Sequence, residues 1–579
     1  RNAPDDWLAI LFAVLPAGYA TTGVLGLLTA RAGIAVPIAL LSAGITAISC
    51  WRMPNWRELS IKAWTCLQQD WQQAWASNNG EKRSMVNILV MACVLAIYVL
   101  SIGPINQPDA ADYHAGYAHQ FFLRHRYHAD GGLTQGLMGL GDFSHLSNFQ
   151  ENTTWLIRST QILPLLPLVL LLKRTKVRGT WILAFVSAPL FIGWASVGKP
   201  MFLGESCIAA GYLLWRSKPS KARAALLLSS LLIGLSLKIS AMIMIIPIVI
   251  DLGYEWLTRL KKPRFSSSKL GASFIVLVVM SAMGLAILLA DRWFNTGNPA
   301  FPLLSKLFTP NNIEALEFEN YLKGFGRDDS GFPLTLFIPL RPGNLASVLG
   351  PATGIIALMS IALFPFKNNL QKRITLIGTA QVILLALLGQ WRADYYSAPI
   401  ILLIASGQGS LDPGGTKTLF EKACRLFFNC ALGAQLTVFI AMASMSIYQS
   451  AHALTNYTSA MNQWAYGFEA SQELMKHKKP YLNLAMRETR LYYDTNYIDP
   501  SGYRHCLRAG NALATGNGKQ LEAESCFAAV GAKTVMAEHG TFQNSSNLQC
   551  FPKTVYLGQR NLFNNRKIIV DICNVRGAN

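Results

Sequence analysis

The sequence predicts a mainly α-helical, polytopic transmembrane bundle of about 13 spans with a small α/β domain at its C-terminal end. Three observations carry that expectation. Of the 579 residues, 51% are apolar and only 14% charged, whereas a soluble domain carries about 25% charged residues. Apolar stretches close to the ~20 residues needed to cross a bilayer core recur up to about residue 450. Beyond that point the pattern changes to short β-branched and aromatic segments between turn residues. Together these exclude a soluble globular protein, a disordered chain, collagen and a coiled coil.

The apolar stretches run over 7–29, 33–50, 85–104, 155–172, 180–197, 201–215, 222–237, 240–258, 270–290, 345–366, 374–390, 395–407 and 427–447. Basic residues give an independent check, because short cytoplasmic loops retain Lys and Arg. With 51–84 placed in the cytoplasm, the short loops on that side hold 24 Lys and Arg. The short connections on the other side hold only Arg31, Lys199, Lys238 and Arg392. The net charge of +20 is thereby explained as membrane topology, not as a nucleic-acid surface.

This arrangement divides the chain into two N-terminal spans and a cytoplasmic loop (1–84), a transmembrane core (85–450) and an exported α/β domain (451–579). The N-terminus is expected in the cytoplasm, with the first helix as an uncleaved anchor. Long far-side loops cover 105–154 and 291–344. In the exported domain, "RLYYDTNYI", "AKTVMAE", "KTVYLG" and "RKIIVDICNV" read as strands and "EAESCFAAV" as a short helix. No Gly-x-Gly-x-x-Gly follows these strands, so no nucleotide site is assigned. Cys506, Cys526, Cys550 and Cys573 all fall here, and an even number in an oxidising compartment suggests two disulfides of open connectivity. The remaining six cysteines lie in or beside helices, as small packing residues.

The first far-side loop holds the densest polar cluster, "INQPDAADYHAGYAHQFFLRHRYHAD". Asp109 and Asp112 follow the third apolar stretch, then come Tyr113, His114, His119, His125 and His128. A carboxylate at the membrane surface is partly desolvated, which raises its pKa and suits it to act as a base; the competing reading is a solvated loop acid. Lys199 and Glu205 lie in "WASVGKPMFLGES", and Lys238 interrupts a long apolar run. An ionisable residue in such surroundings is costly and marks a functional position by default, against the alternative of a snorkelling lysine. Arg392 is a similar isolated charge in "LLGQWRADYYSAPI". These three bases converge on one side, where a lipid phosphate would need them. Loop 291–344 is rich in Pro and Gly, and its aromatics suit short interfacial helices. Asp328 and Asp329 within it read as a turn. The histidines lack a third ligand at fixed spacing, so no metal site is assigned.

Taken together, "DAADYH" (109–114), "GLSLKISAMIMIIPIVI", "TGNPAFPLL" (296–304) and "WRADYYSAP" resemble motifs of the GT-C superfamily of polytopic glycosyltransferases over about 85–410. In the second motif Ser236 stands where the family has Gly and Ile239 where it has Tyr. The resemblance implies an inverting transfer, on the periplasmic side of a bacterial inner membrane, from a polyprenyl-phosphate-linked sugar to an envelope glycan, lipid or protein acceptor. It implies Asp109, or Asp112, as the catalytic base, with Glu205 as a further acid. Tyr113, His114, Lys238 and Asn298, within the matching motifs, would bind substrate, and Lys199 and Arg392 join them by topology alone. Apart from the lipid-linked donor it implies no cofactor; a pyrophosphate donor would make a divalent metal more plausible. Two other classes stay open: an O-antigen ligase or polymerase, which usually lacks the C-terminal domain and the Asp-x-x-x-Tyr-His loop, and a transporter or flippase, which would favour internal repeats and midplane charges.

Overall fold

The computed structural model describes residues 6–33, 37–51, 61, 64, 65, 68, 81–125, 137–217, 219–259, 272–301, 303–311, 333–338, 347–390, 392–407, 419–485, 490–498, 527–542, 545, 547–558 and 567–576. The protein is mainly helical with one small sheet. Every apolar stretch read from the sequence carries helix. By length and hydropathy, however, only four runs qualify as membrane spans among the described residues: Thr154–Arg174, Ile275–Thr296, Asn369–Leu387 and Arg425–Thr455. A fifth is gained if Gly179–Val186 and Leu190–Ser196 count as one. The 180–197 stretch, expected as a single helix, is thus a pair bent by 49°. The break falls at Ser187, Ala188 and Pro189, where a ring nitrogen cannot donate to the preceding turn. The 155–172 stretch likewise starts as two 3₁₀ turns and becomes α-helical at Leu165.

The helices bury a large apolar core, with a second, smaller cluster around Leu27, Ile38, Tyr113 and Leu288. Their outward faces are apolar too: Val276, Val279 and Met283 on Ala272–Thr296, Leu376 and Ile383 on Asn369–Leu387, and Leu426, Phe427 and Ile440 on Leu419–Thr455 are exposed. Contiguous exposed apolar surface of this kind is compatible with a lipid surround.

In the C-terminal part, β1 (Tyr481–Asn483), β2 (Thr534–Glu538), β3 (Leu548–Tyr556) and β4 (Lys567–Val575) form a sheet in the order β1-β2-β4-β3. β1 pairs parallel with β2, and both other pairings are antiparallel. Strands β2, β3 and β4 fall on predicted segments. The "RLYYDTNYI" segment does not form the expected strand: it is a 3₁₀ turn at Arg490–Tyr492 followed by one bridge at Tyr497. Its tyrosines stack on one another, Tyr493 on Tyr497 with centroids 4.2 Å apart. Directly opposed positions on β3 and β4 bring Cys550 and Cys573 together as a disulfide. Cys506 and Cys526 lie outside the described residues, as do Asp328, Asp329 and His128.

Candidate functional site

Six helix-end connections meet, and each contributes a charge. Asp109 precedes a π turn, Ala110–His114, in which the Ala115 N–H reaches back five residues to the Ala110 carbonyl at 2.9 Å. Lys199 follows Gly198, whose φ of +32° turns the chain between Leu190–Ser196 and Met201–Ser217. Lys238 adopts an extended conformation (φ −155°, ψ 121°) that ends Lys221–Leu237. Arg292 lies in the last turns of Ala272–Thr296, and Arg392 and Asp394 flank a 3₁₀ turn before Ser397–Ser406. Asp142 sits on the short helix Leu140–Phe143.

The charges act on one another. Lys199 Nζ donates to Asp394 Oδ2 at 3.0 Å and lies 5.3 Å from the Tyr395 ring centre. Arg392 grips both Asp394 oxygens at 3.2 Å. Burial disfavours the Asp394 carboxylate, but Arg392 and Lys199 outweigh it and hold the carboxyl at about 2. Burial equally disfavours the Lys199 ammonium, and Asp394 with Tyr395 reverses this and raises its pKa. Asp109, half-buried, is within electrostatic reach of Lys199, Lys238 and Arg392. Lys238 Nζ lies 5.7 Å from the ring centre of Tyr113.

Asp142 is the residue that sequence reasoning missed. It is fully buried, accepts the Gly139 N–H at 2.8 Å and shares a 2.6 Å hydrogen bond with His114 Nδ1. Burial raises its carboxyl to about 7, opposed by Lys238, the Gly139 N–H, Lys199 and Arg292. Two close approaches place it. A Cβ on Gly139 would stand 1.9 Å from the Leu237 carbonyl, one residue from Lys238, and a Cβ on Gly23 of the first helix would stand 2.0 Å from the Leu140 carbonyl. The first helix, outside the family resemblance, thus buttresses the site. Gly139→Ala is expected to cost about 1–3 kcal/mol by overpacking, read as a lower Tm in detergent. An unchanged Tm would show that the Leu237 backbone yields.

The other sequence candidates have more local partners. Asp112 forms an ion pair with Arg490 of the C-terminal part. Glu205 is buried, accepting from the Ser397 hydroxyl and, at 3.3 Å, from the Ala398 N–H, so it ties Met201–Ser217 to Ser397–Ser406. Asn298 is fully buried and bonds within its own loop, to the Leu303 carbonyl at 2.8 Å and the Ala300 N–H at 2.9 Å. Asn298 stays within its loop, whereas Glu205 is also within electrostatic reach of Asp394 and Lys199. Burial lowers the His119 imidazole to about 4. The same effect lowers His145, absent from the sequence candidates, to about 4; its Nε2–H donates to the Gly198 carbonyl at 2.8 Å and steadies the Lys199 turn.

Asp142 lay in a Gly-rich stretch, "GLMGLGDF", that carried a usable signal: an acid between close-approach glycines in the loop already selected. Asp394 stood inside the quoted "WRADYYSAP", two residues after Arg392, and Arg292 lay four residues before "TGNPAFPLL"; neither was singled out. Among the described residues no three His, Cys, Asp or Glu side chains are grouped to hold a metal. No protein-family model matches the chain, and no curated protein matches it.

Proposed function

We propose that the chain is an integral membrane glycosyltransferase. It moves a sugar from a polyprenyl-phosphate donor to an envelope glycan, lipid or protein, on the periplasmic side of a bacterial inner membrane. In this reading all 13 apolar stretches are embedded in the bilayer, the N-terminus is cytoplasmic and the 451–579 region is periplasmic. The observation that carries the proposal is the meeting of Asp109 with Lys199, Lys238 and Arg392 at connections expected on one side of the membrane.

The chemistry follows from those groups. Asp109 takes the proton of an acceptor hydroxyl, and the freed oxygen attacks the anomeric carbon from the face opposite the leaving group. The bond from that carbon to the phosphate oxygen breaks and its electron pair leaves with the lipid phosphate, so configuration inverts. Lys199, Lys238 and Arg392 neutralise the charge that grows on the phosphate, and Arg292 adds to the same field. The donor arrives already activated, so the reaction consumes no nucleotide. Asp142 and His114 form the buried floor that fixes the cations by charge.

Purified protein given a panel of radiolabelled polyprenyl-phosphate sugars should form a glycosylated envelope acceptor and release lipid phosphate in equal amount. Solute or lipid-linked sugar crossing liposomes without any glycosyl product would replace the proposal with transport. Joining of preassembled glycans from a lipid pyrophosphate would replace it with ligase or polymerase chemistry.

A further inference from the structure

Arg490 and Asp112 stand 378 positions apart in sequence, yet their side chains are 0% and 3% exposed and form an ion pair. Asp112 lies within the π turn that directly follows Asp109. π turns are rare and concentrate at functional positions. The 490–497 segment grips this region repeatedly. The Arg490 guanidinium lies 4.3 Å from the Tyr117 ring centre. The Gln120 amide donates to the carbonyls of Arg490 and Tyr493 at 2.9 and 3.1 Å, and Arg124 donates to that of Tyr497. The Tyr492 hydroxyl donates to the Ile105 carbonyl at 3.0 Å, and the Tyr466 N–H to that of Asn106 at 3.1 Å. Ala111 packs among Met461, Ala465, Phe468 and Tyr492.

We infer that Arg490 is a positioning residue: through Asp112 it holds the π turn that aims Asp109 at Lys199, Lys238 and Arg392. The C-terminal part is on this account a wall of the site. The physical reason is that a buried, charge-assisted pair fixes both partners in one geometry. Removing the guanidinium takes a charged partner from a buried carboxylate, a cost relieved by protonation or by movement of the segment that carries it. Asp109 is three residues from Asp112 and moves with it.

The inference rests on the transferase reading for its kinetic arm and not for its structural arm. The test uses the full chain, wild type against Arg490→Met and the double variant Asp112→Asn/Arg490→Met, with hydrogen exchange of peptides over 105–120 and turnover of the lipid-linked sugar. Arg490→Met should speed exchange over 108–116 and lower kcat by about 10- to 100-fold, as small misplacements of a reacting group do, with donor KM unchanged. The double variant, which removes that carboxylate's charge, should recover much of both. Wild-type exchange and kcat in Arg490→Met, a loss confined to donor KM, or a double variant no better than the single would each overturn the inference. If Arg490→Met fails to fold, a folded double variant that exchanges faster over 108–116 and turns over more slowly than wild type supports it, and one that matches wild type in both overturns it. If the wild-type chain transfers no sugar, the function is refuted, while accelerated exchange restored in the double variant still establishes the Arg490 hold on the turn.

Discussion

Asp109→Asn is expected to lower sugar transfer by about 10²–10⁴-fold, the usual contribution of a positioned general base, with donor binding retained. The amide keeps the size of the carboxylate but cannot take the acceptor proton. It also removes one negative charge from a group of three cations, so the lipid phosphate should bind as well as before or slightly better. The measurement is transfer rate and donor affinity on the same preparation. Wild-type turnover would remove Asp109 from the chemistry and shift attention to Asp142, whose buried pair with His114 is the nearest acid–base alternative. Asp112→Asn makes a useful contrast, because Asp112 faces Arg490 and its loss should show mainly as slackness in the turn.

Lys238→Ala is expected to weaken donor binding by about 10- to 150-fold, the value of a charged hydrogen-bond partner at ~1.5–3 kcal/mol. Lys199 and Arg392 share Asp394, whose carboxylate offsets much of their charge. Burial and Lys199 disfavour the Lys238 ammonium while Asp142, Asp109 and Asp394 favour it, so a phosphate beside it would supply the counter-charge that its surroundings leave incomplete. Equal donor affinity in Lys238→Ala, measured by isothermal titration or displacement of a labelled donor, would show that the phosphate sits elsewhere.

The helices were legible because a chain this apolar has few alternatives: a run of about 20 apolar residues can satisfy its backbone in lipid only as helix. The interruption at Ser187–Pro189 was not, since hydropathy averages over it. Residues 490–498 misled for a different reason. Their aromatic pattern suits a strand, but Tyr493 and Tyr497 stack, and Arg490 serves Asp112. Tertiary demand overrode local propensity there. Lys199, Lys238 and Arg392 stood out as isolated charges in apolar surroundings, and each is within electrostatic reach of Asp109. Asp142 and Asp394 were hidden because an acid in a polar loop looks solvated until the backbone packing that buries it is known. The separate fate of Asp112 depended wholly on a residue hundreds of positions away.

That last distance has a consequence for how the chain matures. The early loop with Asp109 leaves the ribosome long before Arg490 does, and until then Asp112 lacks the guanidinium that it pairs with in the finished fold. The packing around the π turn is therefore completed only after most of the chain has been made, and a chain halted before residue 490 would lack the Arg490 contacts to Asp112 and Tyr117.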